Sequence, residues 1–232
     1  MAFQGGVFNA GAFMACHRFV SHVTGFATFF GYEINQKDTS HAWGMLIVPL
    51  FFLLGCIVSG ILVDVRLRLH KRPKYYISFG LIFLLSCVVL ALGVSGYLGP
   101  FGKPLTQTRD LTLLILLCLI CGIQNATITT VSKSIIRTTH LTGVTTDLGI
   151  ALVRLAYRKK IKIDVKNEAY GVLIRLGIIL FFVMGSVGGV FLFMRQQYLG
   201  FIAPVLTSGF LFALMLTFQL IRPKRISQGV AI

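Results

Sequence analysis

Long apolar runs alternate with short polar and basic segments along this chain. Five runs have about 20 residues or more, which is roughly what a bilayer-spanning helix needs, and are almost free of charged residues. They cover residues 43–63, 76–98, 111–131, 170–194 and 201–221. A sixth, weaker run within residues 2–30 is interrupted by His17, Arg18 and His22. The pattern predicts an all-α integral membrane protein with six transmembrane helices.

The composition supports insertion in a lipid bilayer and excludes a soluble globule. Hydrophobic residues make up 56% of the 232 residues, charged residues make up 12%, and the mean hydropathy is +0.83. Such a chain has too little polar surface to cover a water-soluble fold. The formal net charge of +15 comes from basic residues that lie between the apolar runs. There they set the orientation of helices, so we expect the bilayer as a partner and no nucleic acid.

Lysine and arginine concentrate in alternate connections between the apolar runs. Residues 64–75, 132–169 and the tail after 221 are rich in them, whereas the other connections hold only Lys37, Lys103, Arg109 and Arg195. Because basic loops stay in the cytoplasm, both termini are predicted to be cytoplasmic. Residues 138–157 are apolar too, but basic segments expected on one side flank them. They are predicted to be re-entrant or interfacial, and a seventh span is the alternative.

Two polar stretches near the apolar runs match each other in sequence. Gly6-Val-Phe-Asn-Ala10 corresponds to Gly122-Ile-Gln-Asn-Ala126, and His22-Val-Thr-Gly25 corresponds to His140-Leu-Thr-Gly143. Further matches join residues 42–47 to 169–174 and residues 55–60 to 185–189. These matches predict two copies of a three-helix unit, residues 1–100 and 101–232, within one membrane domain. Because three is an odd number of spans, the second copy is predicted to be inverted.

Inverted repeats of this kind occur in many secondary transporters. Those proteins place their solute sites near the midplane, where broken helices expose backbone groups. We therefore expect Gly25 and Gly143 to mark helix interruptions, and Asn9 and Asn125 to face one central space. The predicted function is a small-solute permease with a site at the repeat interface. The alternative is a non-transporting subunit or scaffold of a larger membrane complex.

Polar residues in and after the matched stretches are the candidate solute ligands. Asn9 and His17 share one helical face, and Asn125, Thr129 and Lys133 share the equivalent face of the second copy. Alternatively, the amides and hydroxyls join neighbouring helices, and Lys133 extends to the interface. The full set of candidates is Asn9, His17, His22, Thr24, Gly25, Asn125, Thr129, Lys133, Thr139, His140, Thr142 and Gly143.

Motifs for catalysis, metal binding and phosphate binding are absent from the sequence. The five cysteines are odd in number and lie in apolar segments, and the pair Cys118 and Cys121 has no second Cys or His pair. We therefore expect neither a disulfide framework nor a metal site. No Ser-His-Asp candidate or glycine-rich phosphate loop appears. We predict that the chain is not an enzyme and needs no cofactor.

The matched motifs resemble those of the YoaK family, small bacterial multi-pass membrane proteins of unknown function. The likeness rests on Cys121-Gly-Ile-Gln-Asn-Ala126 and Arg137-Thr-Thr-His-Leu-Thr-Gly143 and covers nearly the whole chain. The family usually has an acidic residue where Asn9 stands, and Asn or Gln before its first Thr-Gly, where this chain has His22 and Val23. The resemblance implies a bacterial inner-membrane location. It supplies no substrate and leaves homo- and hetero-oligomers equally open.

Overall fold

The computed structural model describes residues 1–36, 39–103, 110–132, 140–162 and 164–221, and these residues contain helices and no strand. Lys133 and Thr139 lie outside them. The all-α prediction is confirmed for this part of the chain. The elements are α1 (Ala2–Cys16), α2 (Val23–Asn35), α3 (Thr39–Ser59), a π-helical turn (Gly60–Asp64), α4 (Val65–Arg68), α5 (Tyr75–Val94), α6 (Asp110–Val131), α7 (Leu141–Ala156), α8 (Val165–Gln196), a 3₁₀ turn (Gln197–Phe201), α9 (Ile202–Leu216) and a final π-helical turn (Thr217–Ile221).

Four helical stretches of the described residues are long and apolar enough to cross a membrane. They are Ala42–Arg68, Tyr75–Val94, Leu111–Val131 and Val165–Gln219. The last has 55 residues and contains both α8 and α9. Gln197 separates these two helices with a left-handed φ of 48°, a backbone conformation that ends a regular α-helix. α1 has 15 residues, fewer than the roughly 20 that a full span requires.

The first apolar run is divided where its polar residues predicted an interruption. α1 ends at Cys16, His17 follows with a left-handed φ of 54°, and α2 begins at Val23. The second-half motif restarts in the same way, since α7 begins at Leu141, directly after His140. Gly25 and Gly143 therefore lie inside the first turns of α2 and α7. Neither has a positive φ, so each interruption lies just before the glycine that was expected to mark it.

The imidazole preceding each helix explains why glycine occupies these first-turn positions. A Cβ placed on Gly25 would lie 2.7 Å from Nδ1 of His22, and one on Gly143 would lie 2.5 Å from Nδ1 of His140. Both distances are shorter than van der Waals contact. Glycine thus leaves room for the histidine ring to fold over the helix start, in both halves of the chain.

The most extensive helix contacts pair α1 with α8 and α3 with α6. α5 packs against α9, while the amphipathic helices α2 and α7 pack on α3 and α8. The interior is dominated by large apolar side chains that are fully buried, among them Phe8, Met45, Ile82, Leu117 and Phe193. A separate small cluster of Leu148, Ala151 and Val172 joins α7 to α8. Helices from opposite ends of the sequence therefore share one core.

Candidate functional site

Glycines allow the two main helix pairs to cross at backbone contact. A Cβ on Gly122 of α6 would overlap the carbonyl oxygen of Phe52 on α3. At the other crossing, a Cβ on Gly185 of α8 would overlap the carbonyl oxygen of Phe3 on α1. Small residues permit such close approach of membrane helices. Gly122 and Gly185 are therefore packing positions at the two crossings.

At each crossing, the residue that follows the glycine at 55 or 185 donates a side-chain hydrogen bond to the partner helix. The thiol of Cys56 donates to the carbonyl oxygen of Gly122 at 3.5 Å. The hydroxyl of Ser186 donates to the carbonyl oxygen of Gly6, also at 3.5 Å. Cys56 and Ser186 follow the matched glycines at 55 and 185, and Gly6 and Gly122 open the matched Asn-Ala motifs. Residues that match in sequence therefore make matching contacts.

A third matched contact joins α5 to α9 and was not recognised in the sequence. A Cβ on Gly80 would lie 3.0 Å from the ring of Phe212, and one on Gly209 would lie 3.0 Å from the ring of Phe83. The two rings stack with centroids 6.2 Å apart. The shared pattern Gly-x-x-Phe, at 80–83 and 209–212, is the signal that could have revealed it.

Two glutamine side chains are buried among these helices and form hydrogen bonds between them. Gln4 is 2% exposed and Gln124 is 0% exposed. The amide of Gln124 donates to the carbonyl oxygen of Met1 at 2.8 Å. The amide of Gln4 donates to the carbonyl oxygen of Pro204 at 3.2 Å and to the hydroxyl of Thr207 at 3.1 Å. Gln4 therefore joins α1 to α9, and Gln124 joins α6 to the start of α1.

Both glutamines have a buried side-chain carbonyl oxygen that accepts no hydrogen bond within the described part of the chain. One turn after Gln124, the hydroxyls of Thr127 and Ser59 lie 2.7 Å apart and are fully buried between α6 and α3. We call Gln4, Ser59, Gln124, Thr127 and Thr207 the amide layer. It supplies hydrogen-bond donors and acceptors inside an otherwise apolar interior, and two of its acceptors have no partner among the described residues.

The predicted asparagines occupy different environments in the two halves. The side-chain oxygen of Asn9 accepts from the hydroxyl of Ser21 at 3.1 Å and from its backbone N–H at 3.4 Å. Asn9 thereby holds the connection between α1 and α2 against α1. The side-chain oxygen of Asn125 is buried and has no partner among the described residues. Nothing in these contacts joins the two asparagines, and their shared central space stays a prediction.

The remaining described candidates lie around the helix starts and make mainly local contacts. His17, His22, Thr24, His140 and Thr142 are exposed, whereas Gly25, Thr129 and Gly143 are half-buried. Nε2 of His17 lies 3.2 Å from the carbonyl oxygen of Gly102. Thr129 donates to the carbonyl oxygen of Asn125 at 2.7 Å. Lys133 and Thr139 fall outside the described residues. None of the amide-layer residues was predicted as a candidate from the sequence.

Metal-ligating side chains do not cluster in the described ranges. There, His, Cys, Asp and Glu form no group of three or more that could hold a metal ion. In the same ranges, the buried side-chain oxygens that have no hydrogen-bond partner belong to Gln4, Ser78, Gln124 and Asn125. Their chemistry is hydrogen bonding to an uncharged or singly charged solute.

The comparisons with known proteins give one family match. A family model described as a protein of unknown function, DUF1275, matches residues 1–217. YoaK-like proteins belong to that family, so the resemblance drawn from the motifs is confirmed. Neither the curated proteins nor the solved structures contain a match to this chain.

Proposed function

We propose that this chain, which belongs to the DUF1275 family of proteins of unknown function, is a small-solute permease of the bacterial inner membrane. It would consist of two inverted three-helix repeats, residues 1–100 and 101–232, and would act without a cofactor and not as an enzyme. The six proposed spans would be α1, α3, α5, α6, α8 and α9, and α1, with 15 residues, would be a short first span. The observation that carries the proposal is the matched set of helix contacts, because inverted repeats are characteristic of secondary transporters.

The way the halves interlock supports an inverted repeat over two independent bundles. The first helix of each half packs mainly on the second helix of the other half: α1 on α8, and α6 on α3. The third helices, α5 and α9, pack on each other through reciprocal glycine and phenylalanine contacts. A twofold axis between Phe83 and Phe212 would relate all of these contacts. Such an axis lies in the membrane plane when each repeat has an odd number of spans.

The amide layer is the proposed solute site. A buried acceptor without a partner costs about 1–3 kcal/mol, so Oε1 of Gln4 and of Gln124 favour a ligand that donates hydrogen bonds. Gln4 also binds α9, and Gln124 binds the start of α1. A solute bound there would change the hydrogen bonds that Gln4 and Gln124 make between helices of the two halves. We therefore propose ammonium, small amides, ureas or polyols as the class of substrate.

The close glycine crossings favour the second candidate, a non-transporting subunit or scaffold. Backbone contact at Gly122 and Gly185 holds helix pairs together in a way that also suits a static membrane anchor. The two functions differ in whether a purified protein binds a small solute. A scaffold would instead co-purify with other membrane subunits, and no small donor would stabilise it.

Membrane topology tests the inverted repeat directly. In a variant without native cysteines, we expect Lys71→Cys and Lys160→Cys to react with an impermeant maleimide only from the cytoplasmic side. Lys103→Cys should react from the outside, because the basic connections remain in the cytoplasm. Labelling in intact cells and in inverted vesicles gives the measurement. If Lys71→Cys and Lys103→Cys react from the same side, the inverted repeat is excluded.

Ligand-induced stabilisation tests the site. The purified protein is heated with ammonium, urea, acetamide or glycerol, and a ligand present at 100 times its Kd should stabilise it by about 2.7 kcal/mol. Gln124→Leu should lose that stabilisation, while the apo protein changes by about 1 kcal/mol, because one interhelical hydrogen bond is removed. Ser86→Ala is the matched control, since its buried hydroxyl bonds only its own helix, at Ile82. An unchanged ligand response in Gln124→Leu would place the site elsewhere.

A further inference from the structure

A basic loop between α7 and α8 lines an open depression with a volume of about 660 Å³. Its lining residues are Arg158, Lys159, Lys160, Ile161, Lys162 and Asp164, and all of them are exposed. Four positive charges and one negative charge leave this loop with a net charge of +3. The depression therefore presents a concentrated positive charge at the surface, suited to an anion.

The acidic groups next to the loop are engaged in other interactions. Asp164 caps α8, accepting from the backbone N–H groups of Lys166 at 3.1 Å and Asn167 at 3.2 Å. Glu168 lies 3.5 Å from the guanidinium of Arg154. Within the described residues, no ion pair involves the four cations of the loop. Their charge thus remains available to an external anion.

The helix before the loop has a second apolar stripe that no other helix of the described residues covers. Leu148 and Ala151 pack α7 against α8. On another face Ile150, Val153 and Tyr157 are 48%, 59% and 54% exposed, and their spacing places them along one side of the helix. An exposed apolar stripe beside a cluster of lysines is typical of helices that lie in the membrane interface.

The helix after the loop places this surface at the level of the lipid headgroups. Tyr170 and Leu173 on α8 are 64% and 67% exposed, within three turns of the loop. They begin the apolar, lipid-facing surface of a stretch long enough to span the membrane. Tyrosine is enriched at the boundary between headgroups and acyl chains. The loop therefore lies where phosphate groups are found.

We propose that α7 and the loop residues 158–162 and 164 form a docking surface for anionic phospholipids. The cations bind the headgroup phosphates, and the exposed stripe of α7 contacts the acyl chains beneath them. The sequence after α2 has no such cluster of charge, because residues 36–40 contain one lysine and one aspartate. The charge cluster therefore distinguishes the segment after α7 from the segment after α2. Lipid docking depends on membrane insertion alone and is independent of any transported solute.

Lipid selectivity beside the loop tests this proposal. Trp43 is the single tryptophan, so Trp43→Phe combined with Tyr157→Trp places one indole at the end of α7. The full-length protein is reconstituted in vesicles of phosphatidylcholine with brominated phosphatidylglycerol, or with brominated phosphatidylcholine, and indole quenching is measured. We expect the relative association constant to favour phosphatidylglycerol by about threefold or more at low salt, and to decrease with added salt.

Two triple variants, each of which removes three positive charges, test whether the lipid selectivity depends on this loop. Replacing Lys159, Lys160 and Lys162 by glutamine should reduce the relative association constant at the indole to about one. Replacing Arg66, Lys71 and Arg72 by glutamine in the other basic loop should leave it unchanged. Equal quenching by both lipids in the parent protein overturns the proposal. Selectivity that survives the first triple replacement overturns it as well.

Discussion

Gly185→Val is expected to lower the free energy of unfolding by about 3 kcal/mol or more, at the upper end of the cost of overpacking. A Cβ at this position would overlap the carbonyl oxygen of Phe3, and a backbone atom cannot turn aside as a side chain can. α1 and α8 would have to separate. Their hydrogen bond between Ser186 and Gly6 would lengthen with them. Thermal unfolding in detergent, followed by circular dichroism, measures the loss.

The chain offers a control for this variant and an equivalent glycine in the other half. Gly188 lies one turn away on α8, and a Cβ there would meet no atom within 4 Å, so Gly188→Val should leave stability nearly unchanged. Gly122 makes the corresponding contact with Phe52 in the other crossing. Gly122→Val should therefore cost about as much as Gly185→Val. Equal stability of the 185 and 188 variants would contradict the close crossing, and unequal costs at 122 and 185 would contradict its symmetry.

Phe193→Ala is expected to destabilise the protein by about 2 kcal/mol or more. The ring is 0% exposed and lies between Gly11 and Gly200, with Phe201 at a centroid distance of 4.8 Å. In a membrane the unfolded reference also surrounds the ring with apolar groups, so the usual gain from leaving water largely disappears. The cavity term remains, and a void of roughly 100 Å³ costs about 2 kcal/mol.

Phe191→Ala separates packing from simple hydrophobicity in this prediction. Phe191 lies two residues earlier on α8 and is 65% exposed, so lipid or detergent replaces the lost ring. Its removal should change the free energy of unfolding by about 0.5 kcal/mol or less. Both variants are compared by thermal unfolding in the same detergent. If they lose similar stability, the cluster around Phe193 is not a packed core.

The apolar runs in the sequence predicted most of the helices, because the length and composition of a run depend on one segment of the chain alone. The runs near 43–63, 76–98 and 111–131 correspond to α3, α5 and α6. The interruption around His17 was visible for the same reason, since polar residues within an apolar run are costly in lipid. The positions of the break relative to Gly25 and Gly143 were harder to predict. There the histidine ring folds over the helix start, and glycine serves contact instead of backbone strain.

By itself, the sequence determined the membrane class, the all-α fold, the matched glycines and the family, because these depend on segment composition and on comparison of one segment with another. The tertiary structure alone decided which buried polar groups meet. Gln4 binds Thr207 across 203 residues, and Gln124 binds Met1 across 123. No periodicity within a helix records such a pairing. A buried amide acquires its partners only when distant helices pack, so the amide layer became visible only in the folded protein.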